Sequence, residues 1–206
     1  MAHAKAMAGE SMNIGLTGGI GCGKSTALEF FRQAGAVVIE TDAVVRELLA
    51  SDFNLISAIA EAFGAEVIDA EGKVDRERLA SKVFNNSEAL ARLESFVHPR
   101  VRDHWTRQLR ENHPVLIVEI PLLFEKDLQG HFSKTICVSS HPDVQAQRLK
   151  ARGMSDSQIQ HRRMRQLGLE EKMRRADIIL YNNGTPEHLR EQVNWVMKRL
   201  SDHPIQ

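Results

Sequence analysis

A glycine-rich segment between a predicted strand and a predicted helix limits the folds that this chain can adopt. Residues 18–25, G-G-I-G-C-G-K-S, match G-x-x-x-x-G-K-[ST] in full. The apolar run at residues 13–17 predicts a strand before it, and residues 24–33 predict a helix after it. Glycines let successive backbone N–H groups point at phosphate oxygens, and the helix N-terminus adds positive potential. The segment therefore predicts nucleotide binding. A chance glycine-rich turn is the alternative.

Short runs rich in valine and isoleucine alternate with helical patterns along the chain. Such runs are typical of strands that are buried on both faces, as in a parallel sheet. The alternation predicts an α/β fold with a parallel five-stranded sheet and helices on both faces. The predicted strands span residues 13–17, 36–40, 115–120, 134–139 and 177–181.

The stretch between the second and third strands predicts helices rather than further strands. Pro99 falls within its apolar pattern, and we expect it to kink or break a helix near His98. An insertion of this kind, at about residues 43–112, is well placed to cover a second substrate. The apolar residues at helical spacing are Leu90, Leu93, Val97, Val101 and Trp105.

Composition excludes several classes of protein. The chain has 27 basic and 27 acidic residues, which argues against a nucleic-acid partner. The longest apolar run, residues 115–124, is too short to span a bilayer. Cys22 and Cys137 suggest no disulfide framework, so we expect a reducing, cytoplasmic compartment. Residues 1–11 lack a signal-peptide core and are expected to be a disordered leader, followed by a single domain at residues 12–206.

The glycine-rich segment also predicts specific roles for its side chains. Lys24 supplies a cation to the β- and γ-phosphates, and the Ser25 hydroxyl is placed to bind Mg²⁺. Cys22 is interpreted either as a small residue that fits the loop or as a thiol that the helix N-terminus makes sensitive to oxidation. The expected nucleotide-binding residues are Gly19, Gly21, Cys22, Gly23, Lys24, Ser25 and Thr26.

Two further features distinguish a kinase from other nucleotide-binding proteins. Asp42 follows the second predicted strand, where it could take a proton from an acceptor hydroxyl or could cap the next helix, and taken alone the cap is favoured. Residues 148–175 carry nine Lys or Arg against three Asp or Glu, and Gly153 is expected to break the pattern between two helical segments there. This basic segment predicts a mobile lid that stabilises charge on the transferred phosphoryl group. A solvated helical face and a nucleic-acid patch are the alternatives, although the segment lacks interleaved aromatics.

Several blocks together resemble the dephospho-coenzyme A kinase family. Residues 16–26, L-T-G-G-I-G-C-G-K-S-T, are similar to the family's loop L-T-G-G-I-G-S-G-K-S-T, with Cys22 in place of the usual Ser. Asp42 falls on the second Asp of a D-A-D turn, whose first position is Glu40 here. The H-P and P-L-L-F-E blocks are more specific than the loop. The further matches are Phe63-Gly64, Asp75-Arg76, Leu79, His98-Pro99, residues 121–125, Gln147-Arg148-Leu149, Arg152, Gln166, Ala176-Asp177, Asn182 and Gly184.

This resemblance implies a P-loop kinase fold and a reaction in which ATP, with Mg²⁺, phosphorylates the ribose 3′-hydroxyl of dephospho-coenzyme A. It implies that Asp42 is the general base, and that Arg148 and Arg152 contact ATP phosphates from the lid. The helical insertion would hold the acceptor, and the turn Asn182-Asn183-Gly184 would lie near the adenine. Glu119 departs from the family pattern and receives no role. We expect no nucleic-acid or membrane partner, and a monomer or weak homo-oligomer.

Two other functions remain possible from the sequence. A kinase for nucleoside monophosphates or shikimate shares the loop and lid but should lack the H-P and P-L-L-F-E blocks. A GTP-dependent switch commonly selects guanine with N-K-x-D, and this chain has no such tetrapeptide.

Overall fold

The computed structural model describes residues 11–84 and 86–202. Of the predicted leader, residues 1–10 lie outside the described residues. All five predicted strands are confirmed, with ends that differ by one residue at most. They are β1 (Met12–Gly18), β2 (Val37–Glu40), β3 (Val115–Glu119), β4 (Lys134–Ser139) and β5 (Ile178–Tyr181).

Helices occupy most of the remaining described chain. The first, α1 (Lys24–Gln33), has the bounds that the sequence predicts. Short 3-10 turns lie at Ala65–Val67 and Gln129–His131. The other helices are α2 (Thr41–Ser51), α3 (Phe53–Phe63), α4 (Arg76–Val83), α5 (Ser87–Gln108), α6 (Pro142–Ala151), α7 (Asp156–Met164), α8 (Leu169–Arg175) and α9 (Pro186–Asp202).

The strands form one parallel sheet in the order β2-β3-β1-β4-β5. β1 is central and pairs with β3 on one side and β4 on the other. The register aligns Leu16 with Glu119 and Thr17 with Cys137. The segment that follows β1 therefore emerges between the carboxyl ends of two neighbouring strands, which is the binding edge of an open α/β sheet.

Helices cover both faces of the sheet, as predicted. Leu16 of β1 is fully buried in a core cluster with Phe31 of α1 and Val193 of α9. Thr17 points to the opposite face because side chains alternate along a strand. Its hydroxyl donates to the Pro121 carbonyl, which also accepts from Lys172 of α8. This shared acceptor places α8 on the second face.

The chain divides into two compact units. The helical unit is Glu40–Glu111, and the remaining described residues form the sheet unit. The helical unit contains α2 to α5 and lies between β2 and β3 in the chain, where the sequence predicts a helical insertion.

Helix α5 does not break at Pro99, where the sequence predicts a kink or a break. Helix α5 continues through Pro99 as a single 22-residue helix. Proline removes one helical hydrogen bond, but Val97, Val101 and Trp105 bury one face of the helix on both sides of it. The Arg100 guanidinium also donates to the Phe96 carbonyl at 2.8 Å. Tertiary packing therefore outweighs the tendency of proline to interrupt a helix.

Among the described helices, α5 included, none combines the length and the apolar character that crossing a membrane requires.

Candidate active site

The glycines of residues 18–25 fit places where a side chain would collide with a neighbouring strand or loop. A Cβ atom at Gly18 would lie 2.3 Å from the Val138 carbonyl oxygen of β4. Gly23 has a φ of 85°, and a Cβ atom there would lie 2.2 Å from Asn182 Nδ2. The close approach of β4 and the left-handed backbone both require glycine at these positions. We call residues 18–25 the phosphate loop.

The phosphate loop leads into α1 through an unusual N-terminus. Gly23 occupies the N-cap position with left-handed backbone, and no side chain of the described residues caps the helix. The Gly23 carbonyl accepts from the Thr26 and Ala27 amides at 3.1 Å each. No carboxylate lies in the first turn of the helix. The positive end of the α1 dipole is thus left for an external anion.

Lys24 lies in the first turn of α1 and folds back over the phosphate loop. Its Nζ is 3.4 Å from the carbonyl oxygens of both Gly18 and Gly19. It is also 3.9 Å from Glu119 Oε1, and the two side chains are only 14% and 9% exposed. From the sequence alone, Glu119 has no assigned role. Its place at the carboxyl end of β3, beside the end of β1, puts a buried carboxylate next to the loop lysine.

Ser25 and Thr26 are exposed at the start of α1. Among the described residues there is no group of three or more His, Cys, Asp or Glu side chains that could hold a metal ion. Mg²⁺ usually keeps several waters and binds through one or two protein groups together with substrate phosphates. An exposed hydroxyl beside a phosphate cradle fits that mode of binding, so Ser25 is a suitable protein ligand.

Cys22 lies in the phosphate loop, but its thiol is fully buried. Burial raises the pKa of Cys22, and the nearby charge of Lys24 opposes this shift without cancelling it. Burial likewise raises the pKa of Cys137 to about 12. Both cysteines are free. The structure therefore favours the interpretation of Cys22 as a small residue that fits the loop over that of a reactive thiolate.

Arg148 of α6 contacts the backbone of the phosphate loop. Its Nη1 is 3.5 Å from the Cys22 carbonyl oxygen and 3.1 Å from Ser140 Oγ, and its Nη2 donates to Asn182 Oδ1 at 3.2 Å. Asn182 Nδ2 donates to the same Cys22 carbonyl at 2.9 Å. Arg148 and Asn182 therefore brace the phosphate loop from outside.

Sequence reasoning missed this bracing role for Asn182 and for Ser140, whose Oγ lies 3.3 Å from the Cys22 carbonyl oxygen. The Asn182 side chain is buried and donates to the Cys22 carbonyl, and the nearness of the turn at residues 182–184 to the adenine stays a prediction. The residues come from segments far apart in the chain, and no periodicity or spacing signals the contact. Folding of the parallel sheet brings the ends of β4 and β5 to the loop that follows β1.

The basic segment at residues 148–175 covers the end of α6, all of α7 and all of α8. Gly153, with a φ of 73°, separates α6 from α7, and this confirms the predicted break between two helical segments. Arg152 follows the last turn of α6 and is exposed. The structure thus places Arg148 at the phosphate loop, whereas a contact between Arg152 and phosphate stays a prediction.

Asp42 does not cap α2. The N-cap position is Glu40, and Asp42 lies in the first turn with an exposed side chain. The interpretation of Asp42 as a helix cap is therefore wrong. Its position directly after β2 leaves the carboxylate available for another role.

Comparison with known proteins agrees with this geometry. The model of the dephospho-CoA kinase family matches residues 12–187. A dephospho-CoA kinase of Bacillus cereus is 37% identical over 190 residues, which cover 90% of this chain and 95% of that protein. One of Bdellovibrio bacteriovorus is 34% identical and covers 92% and 96%.

Solved structures show the same fold. TT1252 from Thermus thermophilus has a TM-score of 0.77 and 35% identity, covering 92% of this chain and 98% of that one. Dephospho-CoA kinase from Campylobacter jejuni has a TM-score of 0.67 and 27% identity, covering 94% and 99%. A shikimate kinase from Bacteroides thetaiotaomicron, at 17% identity, a TM-score of 0.54 and coverage of 92% and 98%, shares the fold alone. With its phosphate loop intact and nearly its whole length matched, the chain belongs to the dephospho-CoA kinase family.

Proposed function

We propose that this protein transfers the γ-phosphoryl group of ATP to the ribose 3′-hydroxyl of dephospho-coenzyme A, giving coenzyme A and ADP. The observation that carries the proposal is an intact phosphate loop within a chain that the dephospho-CoA kinase family matches over residues 12–187. This reaction is the last step of coenzyme A biosynthesis, and the protein is a phosphotransferase with an alcohol group as acceptor.

The phosphate loop accounts for the ATP side of the reaction. Phosphoryl transfer depends mainly on positioning and on stabilising charge at the phosphoryl oxygens. The uncapped N-terminus of α1 supplies oriented dipoles, and Lys24 supplies a positive charge within the same loop. Gly19, Gly21, Cys22, Gly23 and Thr26 complete the proposed cradle. Mg²⁺, held through Ser25 and the phosphates, would neutralise further negative charge.

Asp42 is the proposed general base. The new bond joins the ribose 3′-oxygen to the γ-phosphorus, and the bond between that phosphorus and the bridging oxygen of ADP breaks. The hydroxyl proton passes to the Asp42 carboxylate. Support comes from the exposed position of Asp42 at the carboxyl end of β2 and from its freedom from a capping role.

The remaining roles follow from the family resemblance and from the placement of charge. Arg148 and Arg152 are the proposed contacts of the lid, residues 148–175, to ATP phosphates. The helical unit, predicted from the sequence as residues 43–112, is the proposed site for dephospho-coenzyme A. We propose a cytoplasmic monomer or weak homo-oligomer with no nucleic-acid or membrane partner. Two free, buried thiols agree with a reducing compartment.

The direct test is mass spectrometry of the purified protein with Mg-ATP and dephospho-coenzyme A. We expect a product heavier by one phosphoryl group and an equal amount of ADP. Lys24→Ala should reduce the amount of product severely, whereas Lys198→Ala, at an exposed lysine of α9, should not. Phosphorylation of shikimate or a nucleoside monophosphate in place of dephospho-coenzyme A would contradict the proposal and favour another small-molecule kinase.

A further inference from the structure

Lys172 and Glu125 form a buried ion pair that the proposed reaction does not use. Lys172 Nζ lies 2.9 Å from Glu125 Oε1, and the two side chains are 0% and 12% exposed. Burial lowers the pKa of Lys172, and the hydrogen bond and charge of Glu125 oppose that shift. Replacing a buried ion pair by apolar side chains of similar volume is often neutral for stability. Stability alone is therefore a weak reason for this pair.

The pair connects three segments of the sheet unit. Lys172 Nζ donates to the Pro121 carbonyl at 2.7 Å, just beyond β3. Thr17 Oγ1 donates to the same carbonyl at 3.3 Å, and Thr17 directly precedes the phosphate loop. Glu125 Oε1 also accepts from the Leu167 amide at 2.8 Å. The pair thus ties α8, and the chain just before it, to the carboxyl ends of β1 and β3.

Helix α8 also lies directly against the phosphate loop. A Cβ atom at Gly19 would be 3.6 Å from Leu169 Cδ1, and Leu169 is the first residue of α8. Leu169 packs on the same core cluster that contains Cys22 of the loop. A displacement of α8 would therefore reach the loop through Leu169.

We propose that Lys172 and Glu125 are positioning residues that fix α8, the last helix of the lid, against the phosphate loop. They act through the loop and touch no reacting atom. This inference rests on the proposed function, because its activity test measures the formation of coenzyme A. Because phosphoryl transfer requires accurate placement of the γ-phosphate, loss of the pair should lower kcat more than it lowers stability. The inference also gives a role to both ends of the P-L-L-F-E block, Pro121 and Glu125.

The test is the double variant Lys172→Met/Glu125→Leu, which removes both charges and leaves neither one unpaired. We expect kcat for coenzyme A formation to fall by about tenfold to a hundredfold. The unfolding temperature should stay near that of the wild type. Hydrogen exchange should become faster in residues 18–25 and 166–175. The matched control is Glu171→Gln on the same helix. The Glu171 carboxylate pairs with the exposed Arg174 and Arg175, and the kcat of this control variant should equal that of the wild type.

A stably folded double variant with wild-type kcat and wild-type exchange would overturn the inference. If the double variant does not fold, Glu125→Asp tests the same point, because it keeps the charge that pairs with Lys172 but shortens the side chain that reaches Lys172 Nζ and the Leu167 amide. An intermediate fall in kcat supports the inference, and an unchanged kcat overturns it. If the wild type forms no coenzyme A, the proposed function fails, but hydrogen exchange still tests the positioning role. Faster exchange of residues 18–25 in the double variant than in the wild type supports that role, and unchanged exchange refutes it.

Discussion

Helix N-termini among the described residues are of two kinds, those that the side chain of the N-cap residue caps and those that it does not, and the two proposed catalytic segments, α1 and the start of α2, are of the second kind. Asp75 caps α4 by accepting from the Glu77 and Arg78 amides at 3.0 and 3.1 Å. Asp42 lies in the first turn of α2 with an exposed side chain and is not the cap. α1 begins at Gly23 with no capping side chain among the described residues. Two aspartates that look alike in the sequence thus have different partners.

At a capped N-terminus, amides of the first turn donate their hydrogen bonds to a side chain of the protein itself. Ser155 and Gln158 cap α7 with a reciprocal capping box, and this also leaves little for a ligand. An uncapped N-terminus keeps its amides and its positive potential available. We infer that changes at the uncapped starts of α1 and α2 alter activity with little effect on stability, and that changes at the capped start of α4 do the reverse.

Asp42→Asn should have the largest effect. If Asp42 is the general base, kcat should fall by about 10²–10⁴-fold while ATP affinity is largely kept. Steady-state kinetics together with ATP titration measures both quantities. The same substitution at Asp75 is the matched control, because Asn caps a helix as well as Asp does. An equal loss of ATP binding in Asp42→Asn would instead indicate a structural or magnesium role.

Lys24→Met should come next. It removes the positive charge beside the Gly18 and Gly19 carbonyls and keeps most of the side-chain volume. We expect kcat to fall by about 10²–10³-fold, the range for losing one group that stabilises transition-state charge. The unfolding temperature should change little. Single-turnover measurements of ADP release test this, and wild-type turnover would contradict the role given to the phosphate loop.

Asp75→Ala should affect stability and leave catalysis intact. Loss of an N-cap costs about 0.5–2 kcal/mol. In a chain of this size each kcal/mol lowers the unfolding temperature by about 2–4 °C. Thermal unfolding and kcat, measured on the same preparation, check this. A fall in kcat with unchanged stability would break the distinction between capped and uncapped helix starts.

The smallest effect concerns Cys22. A thiol near a helix N-terminus is usually more acidic, but burial raises the pKa of Cys22 above its ordinary value. We expect neither cysteine of the folded protein to react with a thiol reagent at pH 8, and both to react in denaturant. Mass spectrometry of the labelled protein distinguishes the two cases. Fast labelling of Cys22 that ATP prevents would restore the interpretation as an oxidation-sensitive thiol.

The sequence by itself determined the elements that local patterns encode. The five strands, the first helix and the glycines of the phosphate loop could be predicted because hydrophobic periodicity and backbone freedom are local properties. The break at Gly153 could be predicted for the same reason.

Tertiary structure alone decided which distant residues meet. Lys172 was counted among the charges of a basic segment, yet it is fully buried against Glu125. Asn182 reaches the Cys22 carbonyl, and Glu119 reaches Lys24, because a parallel sheet gathers the carboxyl ends of separate strands at one edge. Pro99 remains helical because packing on both sides of it outweighs one lost hydrogen bond. These outcomes depend on burial and on long-range contacts, which no local window of sequence contains.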